Sequence, residues 1–240
     1  MTLEEIINYR RSVRHYKNEP IDAIKVKHCL ELSTLAPNSS NMQLWEFYHV
    51  VNPETLKNIA EACLNQQSAT TAQQMVVFVT RQDLHRKREK EMMALESQNV
   101  LKNSPKPKQE KRLNSWKMYY GRIMPFLYTK FLGVFGIIRK IMVNIIGLFR
   151  PIVYQVSEND MRVVVHKSCA LAAQTFMLAM ANEKYDTCPM EGFDSRKVKS
   201  ILKLPYGAEI NMVVSCGIRD EKGVWGDKMR IPFDEVYKLK

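Results

Sequence analysis

The segment 161–184 reads MRVVVHKSCALAAQTFMLAMANEK, and it is apolar on nearly every side. Ser157 and Asp160, just before it, have the spacing of a helix N-cap, so the pattern predicts a long helix beginning near residue 158. A helix that is apolar nearly all round is typically buried, either in a core or at a subunit interface. The rest of the chain must therefore supply the surfaces that cover this helix.

Strands and further helices are predicted on both sides of this segment. MVVFVT at 75–80 is a continuous apolar run typical of a central strand, and EFYHVV at 46–51 and residues 211–216 also favour strands. CPMEGFD at 188–194 is predicted to be a loop. The predicted helices are 3–10, capped by Thr2 and Glu5; 22–35; one beginning at Asn52-Pro53; 82–100, followed by the polar linker KNSPKPKQEK; and a short one capped by Ser195.

Length and composition favour one globular domain over residues 1–240, since 240 residues at 45% hydrophobic content suffice for one core. The five cysteines are scattered and lack CxxC spacing, so neither a disulfide framework nor a metal site is predicted. The beginning MTLEEIINYRR lacks the apolar core of a secretory signal, and we expect a cytoplasmic protein.

The positive charge is concentrated in one segment. Residues 101–157 contain eleven Lys and Arg against the single acid Glu110, which gives +10 of the total +11. No helix-turn-helix, zinc finger or ribonucleoprotein motif accompanies this charge, so nucleic-acid binding is not predicted. We interpret 101–157 as a basic, apolar, helical insertion within the domain.

A second cluster of charge, YRRSVRHY at 9–16, places Arg10, Arg11, Ser12 and Arg14 within five positions. Such a cluster is either a solvated basic face or an anion site, because Arg forks and a hydroxyl together match phosphate oxygens. The chain contains neither a GxGxxG turn nor a GxxxxGK[ST] loop, so any phosphate must be held in another way.

Four separated pieces decide between these interpretations. In order, YRRSVRHY, APNSSNMQLW at 36–45, CPMEGFD and GDKMRIPFDE at 226–235 resemble the hallmarks of the FMN-dependent nitroreductase family. Each piece alone is a weak signal, but together they extend over nearly the whole chain. Only residues 101–157 fall outside the resemblance.

The resemblance implies a role for each matching residue. Arg10, Arg11 and Ser12, joined by Lys228 and Arg230, would hold the flavin phosphate, and Arg14 would lie near the pyrimidine side of the ring. The amides of Asn65 and Gln66 would meet the edge of the ring. The remaining implied contacts are Asn38, Ser39, Asn41 and Gln43 from the other subunit, and the peptide groups of Pro189, Met190, Glu191 and Gly192 along the flavin face.

Three positions depart from the family pattern. Asn38 stands where the family commonly has Ser, Leu44 where Pro is common, and Ser68 where some relatives have Lys. Neither of the first two changes removes an evident donor, whereas Ser68 does not supply the second cation that tunes the ring in those relatives. Cys188 lacks a local base, and we assign it a packing role.

The resemblance also implies an α+β fold, with a central mixed, mostly antiparallel sheet wrapped by helices, and a homodimer with the flavin between subunits. The apolar helix of about 158–182 would lie at the dimer interface. NADH or NADPH would pass hydride to flavin N5 in a first step, and a nitroaromatic or quinone acceptor would be reduced in a second. The flavin carries the chemistry, so no catalytic side chain is assigned.

Two interpretations of the insertion remain open from sequence. It is either a lid over the flavin whose Lys and Arg side chains stay solvated, or a membrane-surface or partner-docking element at 112–150. Its uncharged runs are much shorter than the roughly 20 residues of a spanning helix, and we predict a broken pair of helices. The docking interpretation gives an alternative function, a flavin-binding or sensor protein at the membrane periphery with incidental turnover.

Overall fold

The computed structural model describes residues 1–240, and most of the chain is helical around one four-stranded sheet. The helices are α1 Leu3–Tyr9, α2 Ala23–Ser33, α3 Pro53–Ala62, α4 Gln67–Thr70, α5 His85–Asn103, α6 Lys106–Met118, α7 Met124–Tyr128, α8 Val134–Gly147, α9 Glu158–Asn182, α10 Ser195–Ile201 and α11 Phe233–Val236. The strands are β1 Trp45–Val50, β2 Gln74–Thr80, β3 Asp186–Met190 and β4 Glu209–Gly217. Short 3₁₀ turns lie at Ser39–Asn41, Gln82–Leu84 and Glu221–Gly223, and a π-helix at Tyr119–Ile123.

The sheet has the order β1-β2-β4-β3, and its three strand pairs are antiparallel. A parallel contact is added at the outer edge of β3, where Ser12 forms a bridge with Thr187. All seven residues of β2 are buried, as the apolar run at 75–80 predicts for a central strand. The predicted α+β class is confirmed.

Alternate residues of β2 feed two separate cores. Val76 and Phe78 point to the layer of α2 and α9, where the rings of Phe78 and Phe176 lie 5.6 Å apart. Val77 and its odd-numbered neighbours on β2 point to the layer of α3 and α10. Because side chains alternate along a strand, an unbroken apolar strand covered by helices on both faces is the expected result.

Helix α9 is the long apolar helix of the sequence, and Ser157 and Asp160 form its predicted capping box. By length and composition it is the one helix that meets the criteria for crossing a bilayer. One face of the helix nevertheless packs on the sheet, through Cys169, Phe176 and the neighbouring residues on the same side of the helix. One face of α9 is thus buried in the core, which is one of the two environments predicted for it, and the opposite face leaves Val163 and Leu171 about half exposed.

The prediction that CPMEGFD is a loop is wrong in part, because Cys188 to Met190 belong to β3. The sequence prediction missed this strand because Pro189 lacks an N–H and argues against a strand. β3 is an edge strand, where that missing donor is tolerated, and Cys188 and Met190 are buried against the neighbouring layer.

Two smaller predictions are also corrected. Helix α10 is capped by Asp194 rather than Ser195, since the Asp194 Oδ1 accepts from the backbone N–H groups of Arg196 and Lys197. The expected linker KNSPKPKQEK is helical except around Ser104 and Pro105. Its prolines lie at the beginning of α6, where a missing N–H costs nothing.

Within 101–157 the helices are broken, as predicted, at the π-helix and again around residues 129–133. Arg139 contradicts the expectation that the basic side chains stay solvated, because it is 1% exposed. Its guanidinium donates to the carbonyls of Phe126, Thr129 and Val156 at 2.7, 3.0 and 2.6 Å. Carbonyls left without partners at the helix break therefore hold this cation.

Glu89 of α5 is buried beneath the π-helix in a cavity of about 400 Å³. Its Oε1 has no hydrogen-bond partner, and Arg86 Nη1 lies 3.8 Å from Oε2. Burial raises the pKa of the Glu89 carboxyl from 4.5 to about 7. The folded state therefore binds this proton more tightly than the unfolded state, and the resulting stability is lost as pH rises from about 4.5 through 7.

We expect Glu89→Gln to remove this pH dependence and to raise the free energy of unfolding at pH 8 by about 1–3 kcal/mol. Urea unfolding at pH 5 and pH 8, at one protein concentration, measures the effect. Glu91→Gln on the exposed side of the same helix is the control and should keep the wild-type pH dependence. Equal pH slopes for wild type and Glu89→Gln would contradict the assignment.

Candidate functional site

The segment that follows α1 lies along the outer edge of the sheet. Val13 is fully buried and its N–H donates to the carbonyl of Thr187 at 3.1 Å, while the Arg14 N–H donates to Gly223 at 2.7 Å. In an extended segment side chains alternate, so burial of Val13 directs its neighbours outward. Ser12 and Arg14 are accordingly exposed, and the Arg-rich motif presents its polar atoms on the sheet edge.

The C-terminal segment returns to this edge. Lys228 Nζ donates to the carbonyls of Ile7 and Asn8 at 2.9 and 2.7 Å, at the end of α1. Arg11 Nη2 donates to the Gly226 carbonyl at 2.9 Å. A lysine is favourable here because the last carbonyls of a helix carry partial negative charge.

These bonds gather cations from the two ends of the chain. Burial lowers the pKa of Arg10, and the nearby charges of Arg230 and Arg11 lower it further. Burial also lowers the pKa of Lys228, together with the charges of Arg10, Arg11, Arg230 and Arg219. We call Arg10, Arg11, Lys228 and Arg230 the cation cluster.

The cation cluster lacks a counter-charge within the chain. No carboxylate oxygen lies within 4.0 Å of a charged nitrogen of any of its four residues, or of Arg14. Like charges held together raise the free energy of the protein unless an anion joins them. The arrangement therefore favours binding of an anion with several oxygens, which Arg forks and the exposed Ser12 hydroxyl suit.

Asp186 and Arg219 attach the end of α1 to β3 beside the cluster, and sequence reasoning did not identify them. Asp186 is 2% exposed and accepts from the backbone N–H and Nε of Arg219, both at 2.8 Å. Arg219 also donates to the Tyr9 carbonyl at 3.0 Å and lies over the Tyr9 ring. The sequence signal that could have identified this pair is Asp186, an acidic residue at the start of the mostly apolar segment DTCPM.

The predicted ring contacts also come together. Gln66 Nε2 donates to the Gly192 carbonyl at 2.8 Å and to the Cys63 carbonyl at 3.0 Å, so the turn at 65–66 touches the end of β3. Asn65 has a φ of 51°, and this left-handed turn directs the chain into α4. A Cβ at Gly192 would meet only the Gln66 amide, at 3.6 Å, so the chain itself leaves space there.

Cys188 lies behind this surface and is fully buried. Burial raises the pKa of its thiol, against the nearby positive charges of Arg14 and Arg10. Since the thiolate is the reactive form, the geometry agrees with the predicted packing role. The bridge between Ser12 and Thr187 places β3 directly next to the Arg-rich segment.

The loop 38–43 is the predicted group that the structure does not bring to the cluster. Its amides bond one another: Gln43 N donates to Asn38 Oδ1 at 2.9 Å, and Gln43 Nε2 to Asn41 Oδ1 at 3.2 Å. Ser40, Asn41 and Gln43 have φ values of 55°, 49° and 46°, which Asn and Ser tolerate better than branched residues.

The loop contacts the middle of α9, whereas the end of α1, next to the cluster, contacts the chain just after the C-terminal end of α9. The Ser39 N–H donates to Ser168 Oγ, whereas Tyr9 OH at the end of α1 donates to the Lys184 carbonyl. Sixteen residues of mostly helical chain separate these anchors, a distance of about 24 Å along the axis. Asn38, Ser39, Asn41 and Gln43 are therefore remote from Arg10 within one chain.

Two tyrosines from the π-helix fix the loop. Tyr119 OH and Ser40 Oγ are 2.7 Å apart, and Tyr120 OH donates to the Ser40 carbonyl at 2.9 Å. Trp116 stacks on the Tyr120 ring at 5.5 Å. The first half of the segment 101–157 thus packs against the loop 38–43, which sequence reasoning did not anticipate.

The chain is similar to known proteins over most of its length. The profile of the nitroreductase family matches residues 7–218. Protein DrgA of Synechocystis is 25% identical over 90% of this chain and 84% of its own length, and a provisionally assigned NAD(P)H nitroreductase of Streptococcus pyogenes is 21% identical over the full length of both chains.

Among solved structures, a protein of Exiguobacterium sibiricum, provisionally described as a nitroreductase and crystallised in complex with FMN, superposes with a TM-score of 0.70. Its sequence is 21% identical, and the match covers 100% of this chain and 98% of that one. The matched span therefore includes residues 101–157. The chain belongs to the nitroreductase family.

Proposed function

We propose that the protein holds FMN and transfers hydride equivalents from NADH or NADPH to a nitroaromatic, quinone or similar small acceptor in two successive half-reactions. The observation that carries this proposal is the cation cluster, four positive side chains without a carboxylate partner on the sheet edge. Its residues belong to two of the four motifs that match the family.

The donor set fits the phosphate of FMN. Arg10 and Arg230 supply planar forks, Arg11 and Lys228 are already oriented by backbone carbonyls, and Ser12, next to Arg11 in the chain, is exposed. Charge-assisted hydrogen bonds of this type are about twice as strong as neutral ones. Phosphate binding would also relieve the repulsion among these cations, which adds to burial in lowering the pKa of Arg10 and Lys228.

The surface between Gln66 and Gly192 fits the ring system. The open side of Gly192 lets a flat ligand approach the peptide groups of Pro189, Met190, Glu191 and Gly192, and Asn65 with Gln66 supplies amides at its edge. Arg14 lies near this surface, where a cation would stabilise negative charge on the pyrimidine side. When bound, FMN supplies the hydride chemistry, and we assign no catalytic side chain.

The remaining motif residues would reach the ligand from a second subunit. Asn38, Ser39, Asn41 and Gln43 lie about 24 Å along α9 from the anchor of the cluster, so one chain does not combine both groups around one ligand. A twofold-related copy can bring its loop to the cluster of the first. The half-exposed Val163 and Leu171 of α9 are available to that interface, as predicted for a homodimer.

We further propose that residues 1–240 form one domain in which 101–157 is an insertion whose first half walls the acceptor site. Tyr119 and Tyr120 carry this proposal, because both bond Ser40 in the loop assigned to the ligand. The five buried cysteines are all free, which favours the reducing cytoplasm as the location. The proposal includes neither nucleic acid nor a metal.

The test begins with the absorption spectrum of the purified protein and chromatography of any flavin released on denaturation. We expect a flavin spectrum with about one FMN per chain, reduction of the bound flavin by NADH or NADPH without acceptor, and reoxidation by a quinone. A colourless protein that does not take up added FMN would overturn the proposal. Bound FMN without turnover on any acceptor would favour the alternative, a membrane-associated flavin-binding or sensor protein.

A further inference from the structure

Helix α8 turns its apolar face away from the protein. At 100° per residue, Ile137, Ile138, Ile141 and Ile145, together with Leu148 and Phe149 of the turn that follows the helix, lie within about 120° of one another, and each except Ile138 is more than half exposed. We call these six residues the outward stripe. Leu132, just before the helix, is 90% exposed. A contiguous apolar surface of this kind normally marks an interaction site.

The orientation of α8 is fixed by its opposite face. Arg139 donates to three backbone carbonyls, as described above, and Val143 is buried beside it. Gly136 packs so closely that a Cβ would lie 2.9 Å from the Glu158 backbone nitrogen. If α8 rotated to bury the stripe, the bonds from Arg139 would break and the three carbonyls that accept them would lose their donor. The packing of α8 therefore fixes the outward orientation of the stripe.

The segment that contains the stripe has only positive charge, and the two acids that approach α8, Glu158 and Asp160 of α9, are bonded by backbone N–H groups and by Lys140. No Asp or Glu occurs between Glu110 and Glu158. Lys130 and Arg150, at the two ends of α8, are exposed and form no ion pair, whereas Lys140 is engaged by Asp160 at 3.4 Å. An apolar stripe flanked by free cations complements a surface with negative head groups above an apolar interior.

We propose that α8 docks on an anionic lipid bilayer, with the outward stripe in the acyl boundary and Lys130 and Arg150 among the head groups. The 14 residues of α8 span about 21 Å, less than the roughly 30 Å of a hydrocarbon core, so the helix would lie in the interface plane. A second copy of the chain is disfavoured as the occupant because the same positive charge would face itself. This inference goes beyond the proposed function and does not depend on it.

The test uses the full-length flavin-loaded protein and flotation with vesicles of phosphatidylcholine, with or without about one third phosphatidylserine. We expect binding to the anionic vesicles at least tenfold tighter than to the neutral ones, and weaker in high salt. Failure of the wild-type protein to float with anionic vesicles would overturn the proposal, whatever its activity on soluble acceptors.

Two variants distinguish the contribution of the apolar stripe to vesicle binding from that of the flanking cations. Ile141→Ser with Ile145→Ser and Leu148→Ser should weaken vesicle binding at least tenfold and leave flavin content and turnover unchanged, because these side chains are already in water. Lys130→Gln with Arg150→Gln should lose about fivefold for each charge, and only on anionic vesicles.

The matched control is the triple variant Ile24→Ser, Leu35→Ser and Leu95→Ser, which removes three equally exposed apolar side chains elsewhere. Its vesicle binding should equal that of the wild type. If the stripe variant floats as the wild type does, the stripe is not the docking surface. If the stripe variant instead becomes smaller by sedimentation, the stripe is an interface between copies and the proposal is wrong.

Discussion

Replacing Arg10 and Arg230 together by glutamine is expected to weaken FMN binding by about 10²–10⁴-fold. Each substitution removes a charge-assisted bond to the phosphate worth about 1.5–3 kcal/mol. Both side chains are in the cation cluster, where burial and neighbouring charge already lower the pKa of Arg10. Titration of the flavin-free protein with FMN, followed by flavin fluorescence, measures the change.

Riboflavin makes this experiment specific, because it has the ring of FMN without the phosphate. We expect its affinity to be nearly unchanged in the double variant, so the preference for FMN over riboflavin should collapse. The control Arg196→Gln with Lys197→Gln removes the same charge from the exposed beginning of α10. Equal losses for FMN and riboflavin, or an equal effect of the control, would refute the phosphate assignment.

The same variant has a second expected property that a damaged fold would not show. Removing two cations from a cluster without a counter-charge relieves repulsion, so the flavin-free variant should be at least as stable as the flavin-free wild type. Thermal unfolding in a buffer without phosphate measures this. A lower melting temperature would indicate that Arg10 and Arg230 stabilise the fold rather than a ligand.

Arg219→Met is expected to lower the free energy of unfolding by about 3–5 kcal/mol. It leaves the Asp186 carboxylate, which is 2% exposed, without its guanidinium partner, and an unpaired buried charge is among the most costly defects in a fold. Urea unfolding of the flavin-free protein measures the loss. FMN affinity should fall as well, because Arg219 joins the Tyr9 carbonyl to β3 beside the cluster.

A double-mutant cycle distinguishes the buried charge from simple loss of packing. Adding Asp186→Asn to Arg219→Met removes the unpaired charge, and the double variant should recover a large part of the lost stability. Arg162→Met is the control, since the Arg162–Glu209 pair lies on the surface and should contribute about 1 kcal/mol or less. No recovery in the double variant would show that Arg219 acts mainly through packing on Tyr9.

Features with a local physical signature were predictable from the sequence. The caps at Thr2, Asn52 and Ser157 and the apolar run of β2 are recovered as predicted, because each depends on neighbouring residues alone. The meeting of Arg10 with Arg230 was accessible only through the family resemblance, since nothing local connects two motifs separated by more than two hundred residues.

Features set by tertiary contact were missed. Pro189 argued against β3, and only the position of that strand at the sheet edge removes the objection. Arg139 was expected in solvent because its acceptors are carbonyls freed by a helix break thirteen residues earlier and by the chain before α9. Asp186 and Arg219 were missed because their pairing requires β3 and the chain after β4 to lie side by side.

The bonds from Lys228 to the end of α1, and from Arg11 to Gly226, place the first and last parts of the chain in one clasp. β4, which completes the sheet, ends at Gly217, so every strand precedes the Lys228 and Arg230 half of the clasp in the chain. The sheet core can therefore form without that half, whereas the cation cluster cannot. A chain cut before Lys228 would keep its four-stranded sheet and lose the site for the anion.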